Sequence, residues 1–145
     1  MFMQQALSLA QKAADEGEVP VGAVIAYKNK IIGRGYNKRE GEQNALCHAE
    51  LLAINEACKA LGSWRLTGCE MFVTLEPCPM CTGAIINSRI ERVIFGAYDD
   101  NMGCMGGLCN LCELPSFGHT QIVGGYMQQE ASNLLSDFFQ RLRKE

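Results

Sequence analysis

CEMFVTLEPCPMCTGAIINSRIERVIFGA, residues 69–97, is the stretch from which the fold can be read. It opens on Cys69–Leu75, an apolar run of strand length carrying Phe, Val and Thr, which reads as a buried strand. Pro77 marks the strand's end, since proline has no N–H for a ladder but suits the first turn of a helix. Residues 82–88 are compatible with a helix and residues 91–97 read as another strand. Strand, helix and strand in this order form a crossover, which makes the later strand pairs parallel.

On the N-terminal side, residues 21–27 and 30–36 are rich in Val and Ile and are joined by Lys28-Asn29. That is a hairpin, so the first pair is antiparallel. Phe2, Ala6, Leu9 and Ala13 recur at helical spacing before Gly17 and Pro20 intervene, and residues 47–61 form a helix apolar on nearly every side, ended by Gly62. On the C-terminal side, residues 98–118 predict loops around one short helix, Gln121–Val123 a short strand, and Ala131, Leu134, Leu135, Phe138 and Leu142 a last amphipathic helix. The expectation is one α/β domain over residues 1–145: three α/β/α layers with a central mixed five-stranded sheet.

Composition agrees with an ordinary globular domain: 145 residues, 48% hydrophobic, 20% charged, net charge −3. Such a chain buries roughly 70% of its unfolded surface, which excludes disorder and makes disulfide staples unnecessary. The opening stretch has no basic segment followed by a continuous apolar one, and no apolar run approaches the ~20 residues of a membrane span. The expectation is a cytoplasmic protein with no membrane contact. Eight cysteines, among them the pairs Cys78/Cys81 and Cys109/Cys112, then point to metal or thiol chemistry rather than to a secreted disulfide framework. An acidic pI of about 5.4 argues against a basic field over the whole domain. Basic residues are nevertheless clustered, at Lys28, Lys30, Arg34, Lys38 and Arg39 and again at Arg141, Arg143 and Lys144. They read equally as phosphate contacts and as a solvated hairpin and helix end.

His48-Ala49-Glu50 opens one helix and Pro77-Cys78-Pro79-Met80-Cys81 opens another. Cys78 and Cys81, three apart, face the same way on a helical turn and reach one metal, and a helix N-terminus favours the thiolate the metal binds. With His48 as third ligand, the site has three protein donors and one open position, the arrangement of catalytic zinc. A water there has its pKa lowered toward neutrality. Glu50 is set apart from the ligands and is left to carry protons from that water to a substrate ring nitrogen and then to a leaving amine. The bland readings are a redox or structural C-x-x-C and an ordinary helix-surface His-x-Glu. A structural zinc-ribbon module closed by Cys78, Cys81, Cys109 and Cys112 is the alternative from another class. For Cys109 and Cys112 the expectation is reduced, metal-free thiols, since free cysteine packs as a small apolar residue.

Together, H-x-E and P-C-x-x-C in this order form the pattern of the zinc-dependent nucleobase deaminases, which is a resemblance and not a deduction. Over almost its whole length the chain resembles the bacterial tRNA-specific adenosine deaminases. The matching pieces are Gly17-Glu18-Val19-Pro20-Val21-Gly22-Ala23-Val24, Gly35-Tyr36-Asn37, His48-Ala49-Glu50, Val73 through Cys81, Ser88-Arg89-Ile90, Phe95-Gly96-Ala97 and Leu134 through Phe139. This resemblance implies a cytidine-deaminase-like fold, a homodimer, one zinc per chain and conversion of adenosine to inosine at the wobble position of a tRNA anticodon stem-loop. It implies substrate contacts at Asn37, Ala49, Pro77, Asp99 and Phe139: Asn37 bonding the purine, Asp99 at the target ribose, Phe139 near the flipped nucleotide. The chain departs from the family's usual sequence at Ala45-Leu46-Cys47, at Asn101 and at Gly118-His119-Thr120. The first bears on packing beside His48 and the other two on RNA contacts. A free-base or nucleoside deaminase of guanine or cytosine type is therefore the alternative enzyme reading.

Overall fold

The computed structural model describes residues 1–115 and 119–145. Five strands form one mixed sheet in the order β2-β1-β3-β4-β5: β1 Gly22–Tyr27, β2 Lys30–Tyr36, β3 Cys69–Leu75, β4 Arg92–Ala97 and β5 Gln121–Val123. Helices α1 Phe2–Asp15 and α4 Gln128–Lys144 pack on one face, and α2 Ala49–Leu61 and α3 Pro79–Asn87 belong to the other. The three layers and the mixed sheet are those expected. A single 3₁₀ turn, Leu111–Glu113, supplies the short helix expected within the long loop. Gly118, one of the departures in sequence, lies outside the described residues.

Strand alternation sorts the core into two layers. Ala23 and Ile25 of β1, Met71 and Val73 of β3, and Val93 and Phe95 of β4 join Ala49, Ala53 and Ala57 of α2 and Ile85 of α3. The residues between them, Phe72 and Ile94, turn the other way to Met3, Ala6 and Leu7 of α1. The Lys28-Asn29 turn has positive φ at both residues, 49° and 67°, the geometry that a two-residue hairpin requires.

One pairing differs from the expectation of parallel strands after the hairpin. The crossover through α2 makes β3 run parallel to β2, yet β3 is seated beside β1, to which it is antiparallel. Only the later pairs, β3 with β4 and β4 with β5, are parallel. The crossover spans a strand because α2 must lie over both members of the hairpin. Gly33 and Gly35 of β2 make that close approach possible: a Cβ at either would overlap a carbonyl oxygen of α2, of Ala53 and Ala49 respectively. With Ala at 49, 53 and 57 on the facing helix, backbone meets backbone, which fixes where α2 begins.

Candidate active site

Two helix starts meet at the carboxyl end of β3, where sheets of this kind place their sites. His48 precedes α2 with extended backbone, φ −81° and ψ 152°, and Cys78 precedes α3 in the same manner, φ −74° and ψ 176°. Cys81 follows on the first turn of α3 and is fully buried. His48 Nδ1 lies 3.7 Å from Cys78 Sγ and 3.5 Å from Cys81 Sγ, and all three donor atoms fall within 4.8 Å of one another. Zinc bonds of about 2.3 Å to sulfur and about 2.0–2.1 Å to nitrogen, opened to a tetrahedral angle, would hold N and S about 3.5–3.6 Å apart. The donor set thus fits zinc in both chemistry and spacing. Among the described residues it is the one group of three or more such donors, and neither Cys109 nor Cys112 belongs to it. Cys109 instead lies with its Sγ 3.2 Å from that of Cys104.

Electrostatics at the two thiols favours a thiolate. Cys78 is brought down to about 4, first by the Cys81 thiol donating to it and then, against the opposing effect of burial, by His48 and by the backbone N–H of Cys81. That N–H is one of the open donors of the helix start, so the expected helix effect is present but secondary. Cys81 is pushed up, because its proton is the one shared with Cys78 and because it is buried. His48 is raised above its ordinary value, chiefly by its hydrogen bond to Cys78. A divalent cation takes the place of such shared protons when it binds.

Glu50, on the first turn of α2, is 4% exposed. Burial, the largest cause, pushes its carboxyl up to about 7, reinforced by the charge of Cys78 and opposed by its own backbone N–H and by His48. A carboxyl so placed can both take and release a proton near neutrality.

These groups open on a cavity of about 240 Å³, into which Asn37, His48, Ala49, Glu50, Cys78 and Asp99 are brought together. Asn37 enters with its amide already oriented: Nδ2 donates to Val19 O at 3.3 Å and Oδ1 accepts from Arg39 N–H at 3.1 Å. Two of the sequence's substrate-contact residues are placed elsewhere. Pro77 does not line the cavity, and its carbonyl accepts from Cys104 N–H at 2.9 Å and from Thr82 Oγ1 at 3.3 Å, tying the long loop and α3 to the strand end. Phe139 is on α4, outside the cavity and 43% exposed, packed edge-on against Phe138. Of the basic residues, Arg39 lines the cavity, while Arg34 and Lys38 share a separate groove with Lys59. Arg141, Arg143 and Lys144 occupy the last turn of α4.

Sequence reasoning missed two acids. Glu76 lines the cavity and is 2% exposed; Glu18, 3% exposed, accepts the N–H groups of Glu40 at 3.0 Å and Gly41 at 2.7 Å. Their signal was only an acid beside a proline-rich or valine-rich run, and their partners are more than twenty residues away in the chain.

A buried proton-carrying carboxylate beside a His-Cys-Cys donor set, in a cavity of this size, defines the class of zinc-dependent hydrolytic deaminases. Comparison with known proteins agrees. The cytidine and deoxycytidylate deaminase zinc-binding region matches residues 1–97. A tRNA-specific adenosine deaminase of Bacillus subtilis is 50% identical over 146 residues, covering 100% of this chain and 91% of the relative. A solved structure from work on A-to-I editing by tRNA:A34 deaminases superimposes with a TM-score of 0.89 at 36% identity, covering 92% of this chain and 98% of that one. A guanine deaminase from Bacillus subtilis is 38% identical with a TM-score of 0.64, over 67% of this chain and 62% of that one. The chain belongs to the cytidine and deoxycytidylate deaminase family, and within it to the tRNA-specific adenosine deaminases.

Proposed function

We propose that this protein hydrolyses adenosine to inosine, with release of ammonia, at the wobble position of a tRNA anticodon, and that residues 1–145 act as one catalytic domain. The observation that carries the chemistry is Glu50, buried beside the His48–Cys78–Cys81 donor set and lining the cavity on which they open. Zinc held by those three residues supplies a Lewis acid that makes water a nucleophile near neutral pH. Glu50 takes one proton of the attacking water and hands it to the purine ring nitrogen, then takes the second from the hydroxyl now on the ring carbon and delivers it to the amine, which leaves as ammonia while the carbonyl forms. Asn37 uses one lone pair and one hydrogen on its own chain, and the remaining lone pair and hydrogen are the ones offered to a purine edge. Ala49 and Asp99 also line the cavity, and Asp99 is the residue proposed to meet the target ribose. Valines 19 and 21 and Leu75 contribute apolar walls that exclude bulk water.

The RNA assignment rests on likeness over the whole chain to tRNA-specific adenosine deaminases. It agrees with the cost of extruding a base, which is lowest where the base is already unstacked, as in an anticodon loop. A cytoplasmic homodimer is the proposed state, with Phe139 and the basic end of α4 engaging RNA outside the cavity. No described helix is long and apolar enough to cross a membrane. The test is turnover of a wobble-adenosine anticodon stem-loop beside free adenosine, cytidine and guanine. Inosine should form in the stem-loop at a rate well above that of any free compound. Rapid deamination of guanine with the stem-loop untouched would contradict the proposal.

A further inference from the structure

Glu76 is a buried carboxylate that the chemistry above does not use. Its Oε1 accepts the N–H of Asp99 at 2.9 Å, and its Oε2 accepts those of Met105 at 2.9 Å and Gly107 at 2.7 Å. A buried charge ordinarily requires a cation. The ion pairs found among the described residues, Arg39 with Glu40 and Arg92 with Glu70, lie elsewhere. Glu76 is satisfied instead by three backbone donors converging from one loop, and charge-assisted bonds of this kind are roughly twice as strong as neutral ones. The loop is shaped to allow it: a Cβ at Gly103 or Gly107 would overlap the carboxylate.

The anchored loop carries Asp99 and Met102, both of which line the cavity. Asp99 is held at three points. Its N–H is on Glu76, its carbonyl accepts Gly103 N–H at 2.8 Å, and its Oδ1 accepts the N–H groups of Asn101 at 3.0 Å and Met102 at 3.1 Å. Asn101 takes part through its backbone, so the turn is indifferent to its side chain.

We infer that Glu76 is a positioning residue for substrate: it fixes the Asp99 turn against the bound nucleotide, and so governs binding without taking part in proton transfer or metal holding. The inference rests on the reading that the cavity receives the target nucleotide with Asp99 at its ribose. Glu76→Gln is nearly isosteric but replaces one acceptor oxygen by an amide that cannot accept, leaving one N–H of the loop opposed by another donor.

The experiment is steady-state kinetics on the wobble-adenosine stem-loop in a double-mutant cycle with Asp99→Ala, together with zinc content and amide exchange over residues 98–107. Glu76→Gln should raise KM about tenfold, leave kcat within about twofold and zinc content unchanged, and speed exchange at Asp99, Met105 and Gly107. In the Asp99→Ala background it should add little to KM, because it acts through that residue. An unchanged KM, a loss confined to kcat, a loss of zinc, or full additivity with Asp99→Ala would each overturn the inference. Should Glu76→Gln not fold, Glu76→Asp, which keeps the charge but draws the carboxylate back from the loop N–H groups, takes its place under the same expectations. If the wild type ignores the stem-loop and turns over a free base, the substrate reading fails by itself. Amide exchange over residues 98–107 then tests the anchoring itself, and unchanged exchange in Glu76→Gln overturns the inference.

Discussion

At the scale of single residues, the account turns on Glu50. Its neighbours His48 and Cys78 hold opposite influences on its proton, and burial outweighs both. Glu50→Gln preserves size but cannot accept and release a proton, so zinc content and fold should persist while turnover falls by ~10²-fold or more. Turnover with zinc content measured on the same sample checks this, and wild-type turnover in the variant would remove Glu50 from the mechanism. The zinc ligands and this glutamate were legible in the sequence because their spacing within each motif is local: one residue separates His48 from Glu50 and two separate Cys78 from Cys81. Glu76 was not. Its meaning comes from N–H groups 23 to 31 residues away, and no periodicity in one strand reports what a distant loop will bring to it. Nor were the partners of Pro77 legible, a substrate contact by the family resemblance, whose carbonyl accepts from Cys104 N–H and Thr82 Oγ1.

At the scale of elements, strands and helices followed from apolar patterning, and the boundary at His48 shows how far that goes. A helix from residue 47 was expected, and it starts at Ala49. The difference matters, because a histidine inside the helix would not have the extended backbone from which its ring meets both sulfurs. What sets the boundary is the contact of α2 with glycines of β2, a relation between elements that neither sequence reveals alone. Gly35→Ala should therefore act at a distance. Its Cβ would overlap the Ala49 carbonyl, so the variant should lose about 1–3 kcal/mol of stability and bind zinc more weakly as the start of α2 shifts. Denaturant unfolding and a zinc titration measure the two effects, and an unaltered zinc affinity would disconnect the glycine contact from the site. The seating of β3 beside β1 was likewise invisible, since patterning gives a strand's faces but not its neighbours.

At the scale of the whole molecule, three layers bring two helix starts and one long loop to the same end of the sheet, and each supplies a different function. His48 and Glu50 come from either side of the start of α2, the two thiols from the start of α3, and Asp99 and Met102 from the loop after β4. The fold class could be read from the order of elements, because a hairpin followed by crossovers leaves few alternatives. The placement of Phe139 and of the basic end of α4 outside the cavity could not, since it depends on how α4 lies across the opposite face. Deamination of the wobble-adenosine stem-loop in heavy-oxygen water, with the base analysed by mass spectrometry, tests the central claim most directly. The account predicts inosine whose new oxygen comes from solvent, formed by the zinc-loaded wild type and abolished when chelation removes the metal. Inosine formed at an undiminished rate by the chelated, metal-free protein, or none formed by the zinc-loaded one, would contradict it.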